Sequence, residues 1–381
     1  MKIFEQNSNV APIYHRALSL CISNDFAKSG GGDSVLVEYQ DSEQANRRRE
    51  LLAVEAQAHK NKIIDEYGKN HFKQQVMRQL YADARSSFND EFDNKEGLFN
   101  KTLNIQMASA DILELLSLRA ASIKRITPLV NALPWLGEEL VNLVNKPQYR
   151  KNADVKVTNP NLALSYIGLD NLKLVAPTFI LKHWLPPSTR PFGLMKRKLW
   201  NQSLSIALAS KVLAKEYGID EYFAFCTGML ANIGHLAVTR SFLRTYNDVH
   251  QSALLEAYEN KDKKLHNTLV ELETAPELLL EQLVDRSFTI GADMIELMNF
   301  DRLRITDAIF DLAHTPERAD MNELAQLVLK AIGFVSFRVL AKESLISNDE
   351  SKTILAAAGL SSKDIALLRK ADIDHLKLNF N

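Results

Sequence analysis

The sequence predicts an all-α protein, a multi-helix bundle with a smaller N-terminal extension. Three observations predict it. Apolar residues recur at three- and four-residue spacing in almost every long stretch, the period of a helix face. Capping residues, glycines and prolines punctuate those stretches at helical lengths. The second half holds no alternating apolar–polar pattern of the kind a strand needs. With 381 residues, 46% of them apolar and 24% charged, the chain can bury a full core.

Residues 1–40 are the exception, mixing β-branched and aromatic residues with the glycine turn Gly30-Gly31-Gly32. Any β structure is expected here, as a short strand over 35–39. From 41 to about 92 the pattern is a long charged helix without proline, with Gly68 as an expected break. Leu52, Ala56, Ile63, Tyr67, Phe72, Val76 and Leu80 form a thin apolar stripe along it. That stripe suits first a surface helix or hairpin packed on the main domain, with a homodimer formed through this helix as the alternative. Arg47-Arg48-Arg49 reads as a solvated turn, and Asn, Asp and Gly over 93–100 read as a linker.

Helices follow over 112–118, 123–133 and 136–144, broken near Pro128 and Pro134. A polar loop over 152–161 precedes helices over 162–167 and 172–184, and a proline-rich loop over 186–191 leads to the next helix near Trp200. Later helices are expected over 250–258, 277–286, 288–300, 305–313 and 322–341, with Pro276 in a first turn. Ser361 and Asp364 fit a capping box ahead of 365–368. The expected division is 1–100 as extension, 101–345 as the helical domain and 346–381 as a helical tail packed on it.

The centre of the chain is the stretch 199–237. Leu204, Ala207, Leu208, Val212 and Leu213 share one helical face, Lys211 and Lys215 suit its C-terminal dipole, and Gly218 ends it. Asp220 offers an N-cap for a second apolar helix. Gly228, Ala231, Asn232 and His235 fall on one stripe of that helix, where small residues admit a neighbouring backbone.

The segments LWNQS and GMLANIGHLA in this stretch resemble the HD superfamily of metal phosphohydrolases. That family carries His where Gln202 stands and His-Asp where Ala231 and Asn232 stand, ahead of the Ile-Gly pair kept as Ile233-Gly234. The closer resemblance is to the HDOD family, the HD-related output domain of bacterial signalling proteins. NLVNKPQY over 142–149 and NLALSYIGLDNLKLV over 161–175 extend it, with Lys146-Pro147 replacing the family's Ser. The resemblance spans roughly 108–334 and implies an HD-like bundle with a degenerate site.

Metal-assisted hydrolysis needs charged or imidazole donors to hold the ion that acidifies water. Gln202 and Asn232 offer neutral amides and Ala231 offers nothing, so no metal, no cofactor and no catalytic residue is expected. The enzymatic alternative recruits His235, Asp311 and His314 as substitute ligands; Asp307 lies one turn before Asp311. His235 reads as a core or rim histidine, and the Asp307–Asp311–His314 run as a solvated helix face. No phosphate-binding glycine loop, dinucleotide fingerprint or nucleophile elbow occurs. Cys21 and Cys226 are the only cysteines, which fits a reducing cytoplasm, and Cys226 reads as a small core residue. No apolar run is expected to cross a membrane.

The net charge of −1 gives no global field for nucleic acid. Locally, 171–215 contains no acidic residue but eight Lys and Arg, with Trp184, Phe192 and Trp200 interleaved. Arg190, Lys196, Arg197 and Lys198 are therefore the candidate anion-binding set, set against a solvated loop over core tryptophans. The function expected is a non-catalytic signalling module that binds a protein partner, or a nucleotide or other small anion, at the cleft of Gln202, Ala231, Asn232 and His235. The alternatives are the substitute-ligand phosphohydrolase and a nucleic-acid-binding module using 171–215.

Overall fold

The computed structural model describes residues 1–30, 53–149 and 156–379, with side chains from 68 onward in the second stretch. Every regular element among the described residues is helical and none is a strand. The strand expected over 35–39, Gly31 and Gly32, the Arg47-Arg48-Arg49 turn and the start of the 152–161 loop lie outside the described residues. So do the side chains of Leu52, Ala56, Ile63 and Tyr67.

The chain opens with α1 (Lys2–Glu5), α2 (Ala11–Ile22) and α3 (Asn24–Lys28). Pro12 sits in the first turn of α2, where its missing N–H has no partner to lose. α4 (Ala53–Asp93) then runs for 41 residues straight through Gly68. The expected break does not occur, because one glycine in a long helix costs only about 1 kcal/mol. Val76, Leu80, Ala84, Phe88 and Phe92 recur every fourth residue and are all buried.

α5 (Lys95–Gly97) and a π-helical turn (Leu98–Thr102) follow at once, so 93–100 is not a linker. Asn94 caps α5 by accepting the Gly97 N–H, while Leu98 and Phe99 enter the core. Polar residues that read as a loop are caps here, and the apolar pair behind them fastens the segment.

Next come α6 (Met107–Ser117), α7 (Ile123–Asn131) and α8 (Pro134–Val144). Pro128 lies inside α7 rather than ending it. The carbonyl that Pro128 cannot pair with belongs to exposed Lys124, so it is not shut away from solvent. α9 (Pro160–Trp184) bends at Gly168, whose φ of 73° marks the turn expected there. α10 (Met195–Tyr217) stops at Gly218 in the left-handed region, with φ 68°.

α11 (Glu221–Leu230) is capped by Asp220, whose carboxylate accepts the N–H groups of Tyr222 and Phe223. The remaining helices are α12 (Ile233–Glu259), α13 (Lys263–Val270), α14 (Pro276–Leu297), α15 (Thr306–His314), α16 (Glu323–Lys342), α17 (Asn348–Ala357) and α18 (Ser362–Lys370). The two helices expected over 277–300 are one, α14, because no residue there breaks the backbone pattern. Complete capping boxes start α17 at Ser347 and α18 at Ser361.

The bundle is organised on two pairs, α10 with α11 and α12 with α14, and α16 packs against α10. α2 lies across α10, α14 and α16. α4 packs on α12, with Phe88 stacked on Phe242 at 5.1 Å, and Arg85 pairs with Glu281 of α14 at 2.7 Å. The described part of its stripe is thus taken up inside the chain. α16 is long and apolar enough to cross a membrane, a length and composition that differ from the sequence reading. In this fold 61% of that apolar window is buried among its neighbours, as in a core helix.

Candidate functional site

α10 carries Gln202 half-buried on its surface. Ala231 and Asn232 do not share a helix with Gly228 and His235, as the stripe had suggested. α11 ends at Leu230 and α12 begins at Ile233, so Ala231 and Asn232 form the corner between them. The corner arises because the two glycines seek different neighbours. A Cβ on Gly228 would lie 2.8 Å from the Cα of Ala207 on α10, and one on Gly234 would lie 1.7 Å from the Ser287 carbonyl on α14. One straight helix cannot meet both.

The corner brings Asn232 to α10, where its Nδ2 donates to the Ser203 hydroxyl at 3.4 Å. The positions next to Gln202 and at Asn232 therefore meet in space. They meet as a closed contact: Ala231, Asn232 and His235 are all buried. The His235 ring stands edge-on to Phe288 at 5.4 Å, and its Nδ1 has no hydrogen-bond partner. Burial pushes its pKa down to about 3, so it is a neutral imidazole at any physiological pH.

The substitute ligands are not gathered with it. Asp311 accepts the backbone N–H of Asn322 at 2.7 Å and the Thr315 hydroxyl at 3.3 Å, tying the end of α15 to the start of α16. His314 rests on Phe310 at 5.3 Å, and Asp307 is exposed. Among the described residues no three His, Cys, Asp or Glu side chains are placed to hold a metal ion. Two amides, a methyl and one buried imidazole do not fit the ion that an HD site holds.

Residues 105–276 match the family model of the HDOD domain. Over that span the chain is similar to the HDOD domain. The matched span runs from just before α6 to the first residue of α14 and includes Gln202, Ala231, Asn232 and His235. Two solved structures from Shewanella amazonensis SB2B are similar at low identity. One is a candidate phosphohydrolase, 18% identical, covering 72% of this chain and 92% of its own, with a TM-score of 0.45. The other is a candidate metal-dependent phosphohydrolase, 17% identical, covering 74% and 99%, with a TM-score of 0.42. No curated protein matches the sequence.

The basic stretch over 171–215 separates into parts with different surroundings. Lys198 is half-buried, and its ammonium donates to the Leu20 carbonyl and the Asn24 side chain, fastening the end of α2 to α10. Burial lowers its pKa. These bonds make it part of the scaffold. Trp184 and Phe192 are core residues, as the plainer reading had it, and Trp200 is partly buried. Arg190, Lys196 and Arg197 are exposed. Arg190 and Lys196 each line a cavity, of about 440 and 490 Å³ respectively; Arg197 lines neither.

Trp135, His183 and Arg240 line the larger cavity and had not stood out in the sequence. Trp135 starts α8, His183 ends α9 and Arg240 lies within α12, so no local spacing connects them. Cys226 is fully buried, and burial pushes its thiol up to about 12, which fits a core residue and not a nucleophile.

Proposed function

We propose that this HDOD domain is a non-catalytic module of bacterial signal transduction, acting in the cytoplasm by being bound rather than by breaking bonds. One observation carries the reading: the positions that hold the metal in HD phosphohydrolases are Gln202, Ala231 and Asn232, and the last two are sealed in the α11–α12 corner. Hydrolysis at phosphorus needs an ion to neutralise the phosphate oxygens and to generate hydroxide. A neutral amide held by Ser203 supplies neither. What the bundle offers instead is a fixed surface, braced by the α12–α14 contact and by α2 across three helices, and a partner protein or a small ligand reads that surface.

The test is metal analysis of the full chain purified from cells supplied with manganese, iron and nickel, together with phosphatase and phosphodiesterase assays under the same metals. The reading expects well under one equivalent of bound metal and no turnover above the metal-only rate. A stoichiometric ion that survives dialysis, with hydrolysis lost on chelation, would overturn it.

A further inference from the structure

The two cavities adjoin at α12, sharing Pro187 and Arg240 in their walls, and are taken together as one groove. Each has the volume of a small-ligand site, about 300–1,000 Å³. The groove is chemically lopsided. At one end Trp135 and His183 stack face to face at 3.9 Å, 5° from parallel, beside Phe179. From the middle to the other end the walls are cationic.

The cations are not equivalent. Lys182 is paired to Glu139 at 3.1 Å, and Arg244 is paired to Glu91. Arg190, Lys196 and Arg240 have no carboxylate partner among the described residues. Among the described residues the Lys196 ammonium donates only to the Pro187 carbonyl, at 3.2 Å. Arg240 donates one N–H to the Trp184 carbonyl at 3.4 Å, leaving most of its donor fork unused. It is half-buried beside a second guanidinium, Arg244, and burial followed by that neighbour lowers its pKa. A bound anion would relieve both strains.

We propose that this groove binds a nucleotide, its phosphates at Arg190, Lys196 and Arg240 and its base against the Trp135–His183 stack. A guanidinium meets phosphate oxygens two at a time, and an aromatic face stacks on any base. Asn104 and Asn142 bring side-chain amides to the aromatic end, where a base presents its polar edge. Glu138 at that end repels phosphate, and so orients the ligand. Asp248 on the far wall is the one opposing carboxylate there. An acidic peptide would answer the cations but leave the stack without a role. This site is separate from the closed corner at Asn232, and its occupancy does not depend on whether the module signals.

The experiment is calorimetric titration of the full chain with each of the four ribonucleoside triphosphates, their nucleosides, inorganic tripolyphosphate and a single-stranded RNA 12-mer. The expected result is saturable one-to-one binding of at least one triphosphate, tenfold or more tighter than tripolyphosphate and than its own nucleoside. Quenching of tryptophan fluorescence should accompany it and be lost in Trp135→Ala. Arg240→Ala should weaken binding at least tenfold. The exposed double variant Arg190→Glu/Lys196→Glu should do the same while keeping the wild-type circular dichroism spectrum. Three results overturn the proposal: no saturable heat from any triphosphate, tripolyphosphate binding as tightly as the nucleotides, or an unchanged affinity in the folded double variant. RNA binding without mononucleotide binding would overturn it in favour of a nucleic-acid surface. None of these results bears on the metal analysis.

Discussion

Gly234→Ala is the most direct probe of what closes the HD corner. An added Cβ would sit 1.7 Å from the Ser287 carbonyl oxygen and 2.7 Å from the Gly291 nitrogen. Ordinary non-bonded contact is about 3.5 Å, so α12 and α14 must part by an amount on the order of 1–2 Å. Overpacking that side chains can absorb costs about 1–3 kcal/mol. Here both obstacles are backbone, and no rotamer change relieves them, so the cost lies at or above that range. Alanine's better helix propensity returns at most about 1 kcal/mol. The net expectation is a loss of about 2–4 kcal/mol. The paired control is Gly68→Ala, where a Cβ meets nothing within 4 Å on an exposed turn of α4. That change should stabilise by about 0.5–1 kcal/mol. Urea unfolding followed by circular dichroism reads both. Should Gly234→Ala unfold at the same urea concentration as wild type or higher, the backbone contact between α12 and α14 is not what holds the corner shut.

Three further outcomes are expected. His235 is neutral in the fold with a pKa near 3, while in the unfolded chain it protonates near the ordinary value of about 6.5, so stability is lost as pH falls below that. His235→Leu should therefore remove about 2 kcal/mol of the acid destabilisation between pH 6.5 and 5, read as a flatter plot of unfolding free energy against pH. Asn232→Asp places a carboxylate in a buried site, so its folded pKa should rise and the variant should lose about 3 kcal/mol at pH 8 and less at pH 5; an equal loss at both pH values refutes this. Asp364 is buried and accepts from Tyr217 at 2.8 Å and Lys330 at 3.1 Å. Burial pushes its carboxyl up, but the Ser361 N–H, Tyr217 and Lys330 outweigh that and leave it below its ordinary value. Its contribution is present at neutral pH and fades as pH falls below about 4. Asp364→Asn should cost about 3 kcal/mol at pH 7 by leaving Lys330 unpaired, with the gap to wild type closing in acid; a gap independent of pH would count against it.

Local signals made much of this molecule readable from its residues alone. Spacing and caps are properties of neighbours in the chain, so the all-helical class, the stop at Gly218, the cap at Asp220 and the box at Ser361 could be recognised without coordinates. That Gln202, Ala231 and Asn232 offer two amides and a methyl is likewise a fact of residue type. Where two elements compete for one segment, local reasoning fails. The Ala231-Asn232 corner exists because Gly228 must approach α10 while Gly234 must approach α14. The 93–100 segment is helical because Leu98 and Phe99 have a core to enter. Lys198 looks like its neighbour Arg197 in the chain and differs only because the end of α2 lies over it. The groove is the extreme case: Trp135, His183 and Arg240 come from three helices, and only the packing of those helices gives them a common wall. Chain order determines which helices form and which residue types they carry. The meeting of distant backbones decides which side chains are sealed and which are left open at the surface.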